Sequence, residues 1–236
     1  MCNGLDNNKM PRNDFEYQVM TDLQGYFTLK QIDTMLNLAQ NKEEQLLILL
    51  LSRTGRRITE ILGRKAYLNK NANHPELQKE YNEVIGLRPI DINFESGQAA
   101  FNILKKRKAI RKLKPLDDFT LTKLQEYITE TNIESHTPIF KLNRWKAFRI
   151  VKRLANEAGI GLVGTKEPHP HHFRHSFAVQ ILKNSNDPTD IKKLQQILEH
   201  SNMNITAGYL QFNQEELRKT INKVFEKKEE VKNATW

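Results

Sequence analysis

The amino-acid sequence predicts a mainly α domain with a small antiparallel β-sheet, an α+β arrangement. Three observations lead there. Apolar residues recur at helical spacing through the early and late parts of the chain. Three strand-like runs, LRPIDI (87–92), QAAFNIL (98–104) and IRKLKPL (110–116), sit together between them. No internal repeat or low-complexity linker divides the 236 residues, enough for one large domain with its own core.

Taken in order, residues 1–22 are polar without a sustained period and read as a tail or truncated linker. The folded domain is expected over 23–228, with a charged tail at 229–236. Thr28 and Gln31 make a capping box before a helix with Leu29, Ile32, Met35, Leu36 and Leu38 at helical spacing. EEQLLILLLSR is a second helix, apolar enough to be central. TGRRITEIL then turns at Gly55 into a short helix. Residues 64–86 are polar and read as an insertion on the surface, with a small helix after Pro75. The last two strand-like runs flank KKRKA and predict a β-hairpin, although no Asn-Gly turn marks it.

From Asp117 the chain reads as helical, first over 118–130 and then in NRWKAFRIVKRLANEAG. There Phe148, Val151, Leu154, Ala155 and Ala158 form the inner stripe and Gly159 the stop. Further helices are expected near 171–183, 189–199, 203–209 and 213–228. The glycines of GIGLVGTKEP lack the strand and helix context of a nucleotide loop and receive no phosphate role.

Composition narrows the partner. Lys and Arg outnumber Asp and Glu by 37 to 28, a formal charge of +9, which favours nucleic acid first and an anionic membrane surface second. The longest apolar run, LLILLL at 46–51, is far too short to span a bilayer, and the polar N-terminus lacks a signal-peptide pattern. Cys2 is the single cysteine, so no intrachain disulfide or Cys-based zinc site can form, and the expected location is cytoplasmic.

The chemistry concentrates in PHPHHFRHSF, residues 168–177. On a helix His171 and Arg174 are neighbours, while Phe173, Phe177 and Ile181 face the core. A planar guanidinium beside a titratable imidazole suits a phosphate. His171 and His175 have the spacing of a zinc pair, but Arg174 lies between them and no Asp or Glu occurs over 168–186, which argues against a metal.

Two further motifs complete a pattern: TGRRITEIL upstream, and LEHSNMNITAGYLQF downstream, where Tyr209 follows His200. With these the chain resembles the tyrosine recombinases, the phage-integrase-type or Xer-like site-specific recombinases. Their patterns read TGLRxSEL, a hairpin lysine, HxLRHSFA, LGH and TxxxY. HHFRHSFAVQIL is the most specific match.

The resemblance implies the tyrosine recombinase catalytic-domain architecture and an enzyme that cleaves and rejoins DNA through a 3′-phosphotyrosyl link, with no cofactor, metal or ATP. It implies that Arg57 and Arg174 clamp the scissile phosphate, Tyr209 is the nucleophile, His171 handles its proton, and His200 donates a hydrogen bond to the phosphate. Glu60 is expected to orient the basic groups and His175 to buttress the site, with His169 and His172 as surface or DNA-facing bystanders. The hairpin lysine that protonates the leaving 5′-oxygen is assigned to Lys106 among Lys105, Lys106 and Lys108, though counting back from Pro115 lands near Arg107. Lys105, Arg107, Lys108 and Arg111 are expected on DNA.

The implied partners are double-stranded DNA with a specific site and three further copies of the chain, docked through a C-terminal helix with Leu217, Ile221, Val224 and Phe225 on one stripe. No membrane or small-molecule substrate is implied, and the protein would be nucleoid-associated when on DNA. The N-terminal core-binding domain usual in the family is expected to be absent. Glu199 stands where LGH has glycine. A type IB topoisomerase and a DNA-binding module without catalysis remain the rival readings.

Overall fold

Helix α1 (Leu29–Asn37) starts where the sequence caps it. Gln31 N–H donates to Thr28 Oγ1 (3.2 Å), and Thr28 N–H donates back to Gln31 Oε1 (2.9 Å). The computed structural model describes residues 25–69, 79–105, 108–184 and 189–199.

Helix α2 (Lys42–Thr54) is capped by Asn41, and every residue from Leu46 to Leu51 is buried. A helix apolar on all sides belongs in the centre. It packs against α1, α4 (Asp118–Thr131), α5 (Arg144–Glu157) and α6 (His171–Lys183). From α5, Val151, Leu154 and Ala155 enter this core, with Phe148 and Ala158 packed at its margin. Burying one such leucine contributes about 1.5–3 kcal/mol. A second apolar cluster joins Phe177, Ala178, Ile181 and Leu182 of α6 to Leu194 and Leu198 of α7 (Asp190–Leu198).

After the short helix α3 (Ile58–Leu62), the chain leaves the core along β1 (Gly63–Arg64) and β2 (Tyr67–Asn69). It returns along β3 (Lys79–Tyr81) and β4 (Val84–Ile85), with β2 paired to β3 and β1 to β4, both antiparallel. β3 forms the end of the stretch where a small helix is expected after Pro75; residues 70–78, on which that expectation mainly falls, lie outside the described residues. The two sides approach so closely at the base that a Cβ on Gly63 (φ +75°) would lie 2.4 Å from Val84 O.

The main sheet has the antiparallel order β5 (Ile92–Asn93), β6 (Gln98–Lys105), β7 (Lys108–Pro115), so the hairpin forms as predicted. Ala99, Phe101 and Ile103 of β6 point into the core. The first strand-like run is different: Pro89–Asp91 form a 3₁₀ turn and only Ile92–Asn93 pair. Pro89 has no N–H to donate to a ladder, and Asp91 turns back to accept from Arg88 N–H (3.0 Å). Among the described residues no helix is long and apolar enough to cross a membrane.

Candidate active site

The first arginine motif is a turn between two helices. Thr54 Oγ1 donates to Leu50 O (2.6 Å), and Gly55 adopts a left-handed φ of +60°. A Cβ there would lie 2.6 Å from the Phe177 ring and 2.8 Å from Leu198, so glycine is required by conformation and by packing.

The two arginines that follow take opposite directions. Arg56 turns inward and is 2% exposed. Its Nη2 donates to Ile197 O, and its guanidinium lies over the Phe101 ring at 5.9 Å. Burial pushes this guanidinium down from its usual pKa, opposed by Glu60. Among the described residues Arg56 Nη1 has no hydrogen-bond partner; it lies 3.9 Å from Glu60 Oε2. Arg57 is the N-cap of α3 and keeps part of its side chain in solvent. Its N–H donates to Glu60 Oε2 (3.1 Å) and its Nη1 to Oε1 (2.9 Å). Glu60, itself buried, therefore fixes where Arg57 points.

The second motif opens α6. His169 N–H donates to His172 Nδ1 (3.2 Å), the two rings stack at 3.8 Å, and His171 N–H donates to His169 Nδ1 (3.2 Å). His172 is buried and meets the Phe27 ring edge-on, so it belongs to the core rather than the surface. His169 is half-buried in the same stack. His172 departs from the bystander expectation, because the Pro170 turn folds the histidines onto one another, while His169 stays partly at the surface. Ser176 locks the arrangement, donating to His172 O (2.8 Å) and accepting from Phe27 N–H (2.8 Å).

His171 lies on the outer side of α6 with its ring edge-on to His175 at 4.9 Å. Although it reaches solvent, the packed face around it withholds water from the charged form. That desolvation, then His175, Arg174, His169 and Arg57, lower its pKa to about 4. Burial, then His169, His175 and His171, take His172 to about 3. Burial and neighbouring cations also lower His175. All three rings are uncharged at neutral pH, and a neutral imidazole keeps one acceptor nitrogen.

Arg174 is 2% exposed and projects inward from α6 rather than standing beside His171 on an open face. Its Nη1 donates to Gly55 O (2.8 Å) and its Nη2 to Leu198 O. One side chain thus ties α6 to the Gly55 turn, two residues before Arg57, and to the end of α7, two residues before His200. His200, Tyr209 and the helices expected over 203–209 and 213–228 lie outside the described residues, as do Lys106 and Arg107. Lys105 and Lys108 pair through their backbones at the hairpin stem.

Arg111 pairs with buried Asp91, which also holds Arg88 at 3.1 Å. Burial alone would raise the Asp91 pKa, but its hydrogen bonds from Arg88 and Arg111 hold it below the usual value. This carboxylate engages the guanidinium expected on DNA.

Sequence reasoning missed the outer face of α5. Arg144, Trp145, Lys146, Arg149 and Lys152 are all exposed there, Trp145 at 76%. Arg144 stands over the Phe148 ring at 5.3 Å. The signal was present as the basic and aromatic residues opposite the helix's inner stripe. Among the described residues no group of three His, Cys, Asp or Glu side chains could hold a metal ion.

The family model described as "Phage integrase family" matches residues 81–216. The sequence is 30% identical over 148 residues to a tyrosine recombinase of Pseudothermotoga lettingae, covering 61% of this chain and 49% of that protein. The chain spans about half the length of this curated relative. Its fold is similar to that of the XerA recombinase (TM-score 0.59, 19% identity), over 84% of this chain and 64% of that one. It is also similar to XerH bound to its difH substrate (TM-score 0.58, 19% identity), over 85% of this chain and 54% of that one.

Proposed function

The chain belongs to the phage integrase family, and from that premise we propose that it carries the catalytic domain of a site-specific DNA recombinase working through Tyr209. One observation supports this most: the Arg174 hydrogen bond to Gly55 O (2.8 Å) gathers Arg57, Arg174 and His171 from two distant segments. XerH, one of the similar structures, is bound to a DNA site.

In this reading Tyr209 Oη attacks a backbone phosphorus. The O–P bond to tyrosine forms, the bond from phosphorus to the DNA 5′-oxygen breaks, and DNA keeps a 3′-phosphotyrosyl link. His171, uncharged at neutral pH, accepts the phenol proton. The hairpin lysine, assigned to Lys106, gives a proton to the leaving 5′-oxygen. Arg57 and Arg174 neutralise the charge that grows on the non-bridging oxygens, with His200 adding a hydrogen bond. Glu60 orients Arg57, and His175 supports the His171 ring. The phosphoester energy is retained in the protein–DNA link, and a second strand's 5′-hydroxyl reverses the step.

The exposed basic and aromatic face of α5 would hold the duplex, with Lys105, Arg107 and Lys108 as further phosphate contacts. Four copies on two duplexes, exchanging their C-terminal helices, would complete the assembly.

A nicked duplex that traps the covalent intermediate tests the reading. Wild type should form a protein–DNA adduct that Tyr209→Phe does not. An adduct that survives Tyr209→Phe, or none from wild type on its own site, removes the proposal.

A further inference from the structure

Glu199 sits at the end of α7 with a left-handed φ of +57°, a conformation that suits glycine far better than glutamate. Its carboxylate has partners that explain the choice. Lys112 Nζ donates to Oε2 (2.8 Å) and Lys114 Nζ to Oε1 (2.6 Å). The two lysines are two residues apart on β7 and so share a face of the hairpin stem. Lys114 Nζ also donates to Gln196 O (2.7 Å). The Lys114 and Glu199 side chains are each only 11% exposed, so the pair is largely out of water, where charges interact strongly.

The neighbouring carbonyls are held the same way, Ile197 O by Arg56 and Leu198 O by Arg174. Residues 196–199 are thus each gripped by a cation, at the helix end where the dipole favours positive charge. The next residue in the chain is His200, and β7 begins at Lys108, four residues before Lys112.

We propose that Glu199 is a positioning residue for strand cleavage, bolting the hairpin stem to the end of α7 so that the hairpin lysine and the His200 segment meet the scissile phosphate in fixed register. The inference rests on the recombinase reading above. Its chemical signature is selective: loosening the hairpin weakens proton delivery to the leaving oxygen, while phosphate binding by Arg57 and Arg174 is left in place.

The test uses the full chain on two nicked duplexes, one with the normal 5′-oxygen at the scissile phosphate and one with sulfur in its place. A thiolate leaves without needing a proton. Glu199→Gly removes the carboxylate and suits the left-handed backbone, and Glu199→Gln keeps the volume. Both should retain DNA affinity close to wild type; thermal unfolding should come at a lower temperature, because Lys114 loses its carboxylate partner, so the rates are compared below that transition. Single-turnover adduct formation should fall about tenfold to a hundredfold on the oxygen substrate, yet stay within about threefold of wild type on the sulfur substrate. Lys112→Met should show the same pattern more weakly. Equal slowing on both substrates, or none on either, overturns the positioning role. No adduct from wild type on either substrate removes the recombinase reading instead, and Glu199's role with it.

Discussion

Helix α2 and the seam between the Gly55 turn, α6 and α7 are equally hidden from water but built in opposite ways. Around α2 the buried cluster is apolar, with Leu47, Ile48 and Leu50 packed among side chains such as Phe27, Val151 and Phe173. In the seam they include Arg56, Glu60, Arg174 and Lys114, all buried. An apolar core is indifferent to which methyl meets which, within limits of volume. A buried charge is not indifferent, because it stabilises only when its partner is in place. The seam therefore fixes directions, and the α2 core supplies the free energy that tolerates it.

Breaking one seam partner should have the largest effect. Glu60→Ala strips buried Arg56 and half-buried Arg57 of their carboxylate and should cost about 3–5 kcal/mol in denaturant unfolding. Leu50→Ala, in the centre of α2, should cost about 2–5 kcal/mol by leaving a cavity. Where that variant is still folded, its rate of adduct formation should match wild type.

Acid should separate the regions as well. His171 and His172 are held at about 4 and about 3 in the folded chain, against an ordinary value of 6.5. Below 6.5 the unfolded chain takes up the protons first. Their contribution to stability is therefore complete above about 6.5 and declines as pH falls toward about 3. His172→Phe should flatten that decline in urea titrations across the same range.

Arg56→Met sharpens the contrast from the other side. Removing this guanidinium alone takes the donor from Ile197 O and a cation from buried Glu60, so stability should fall by about 1–3 kcal/mol in denaturant unfolding. The smallest effect on folding belongs to Arg149→Ala on exposed α5, within about 0.5 kcal/mol. Its mark should appear in DNA binding, where the slope of log affinity against log salt should shrink by about one unit.

Much of the fold could be read ahead of the structure because its signals are local. The Thr28 cap, the run from Leu46 to Leu51 and the hairpin around KKRKA depend on neighbours in sequence. Proline decided one failure: Pro89 interrupts a run whose apolar content looks like a strand. The β2–β3 pairing was hidden because it depends on two segments meeting, not on either alone. At the candidate site, adjacency could not tell which way Arg56 would turn, since that depends on Ile197, more than a hundred residues later. His172 was likewise invisible as a core residue until Phe27 arrived from the other end of the chain. Glu199 was legible only as a departure from LGH, because its reason lies on a different strand.

The base of the β1–β4 arm has a consequence for tolerance to change in length. Gly63 pairs with Ile85 and Arg64 with Val84, so the chain leaves and re-enters the domain through one narrow gate. What the domain core registers is the distance between these two points, which the pairing fixes, and not the number of residues between them. Loop-closure entropy varies only with the logarithm of that number, about 0.6 kcal/mol for each doubling. Shortening or lengthening the arm beyond Arg64 and Val84 is therefore nearly neutral for folding, and this is where the chain can accept new sequence without disturbing the arginines.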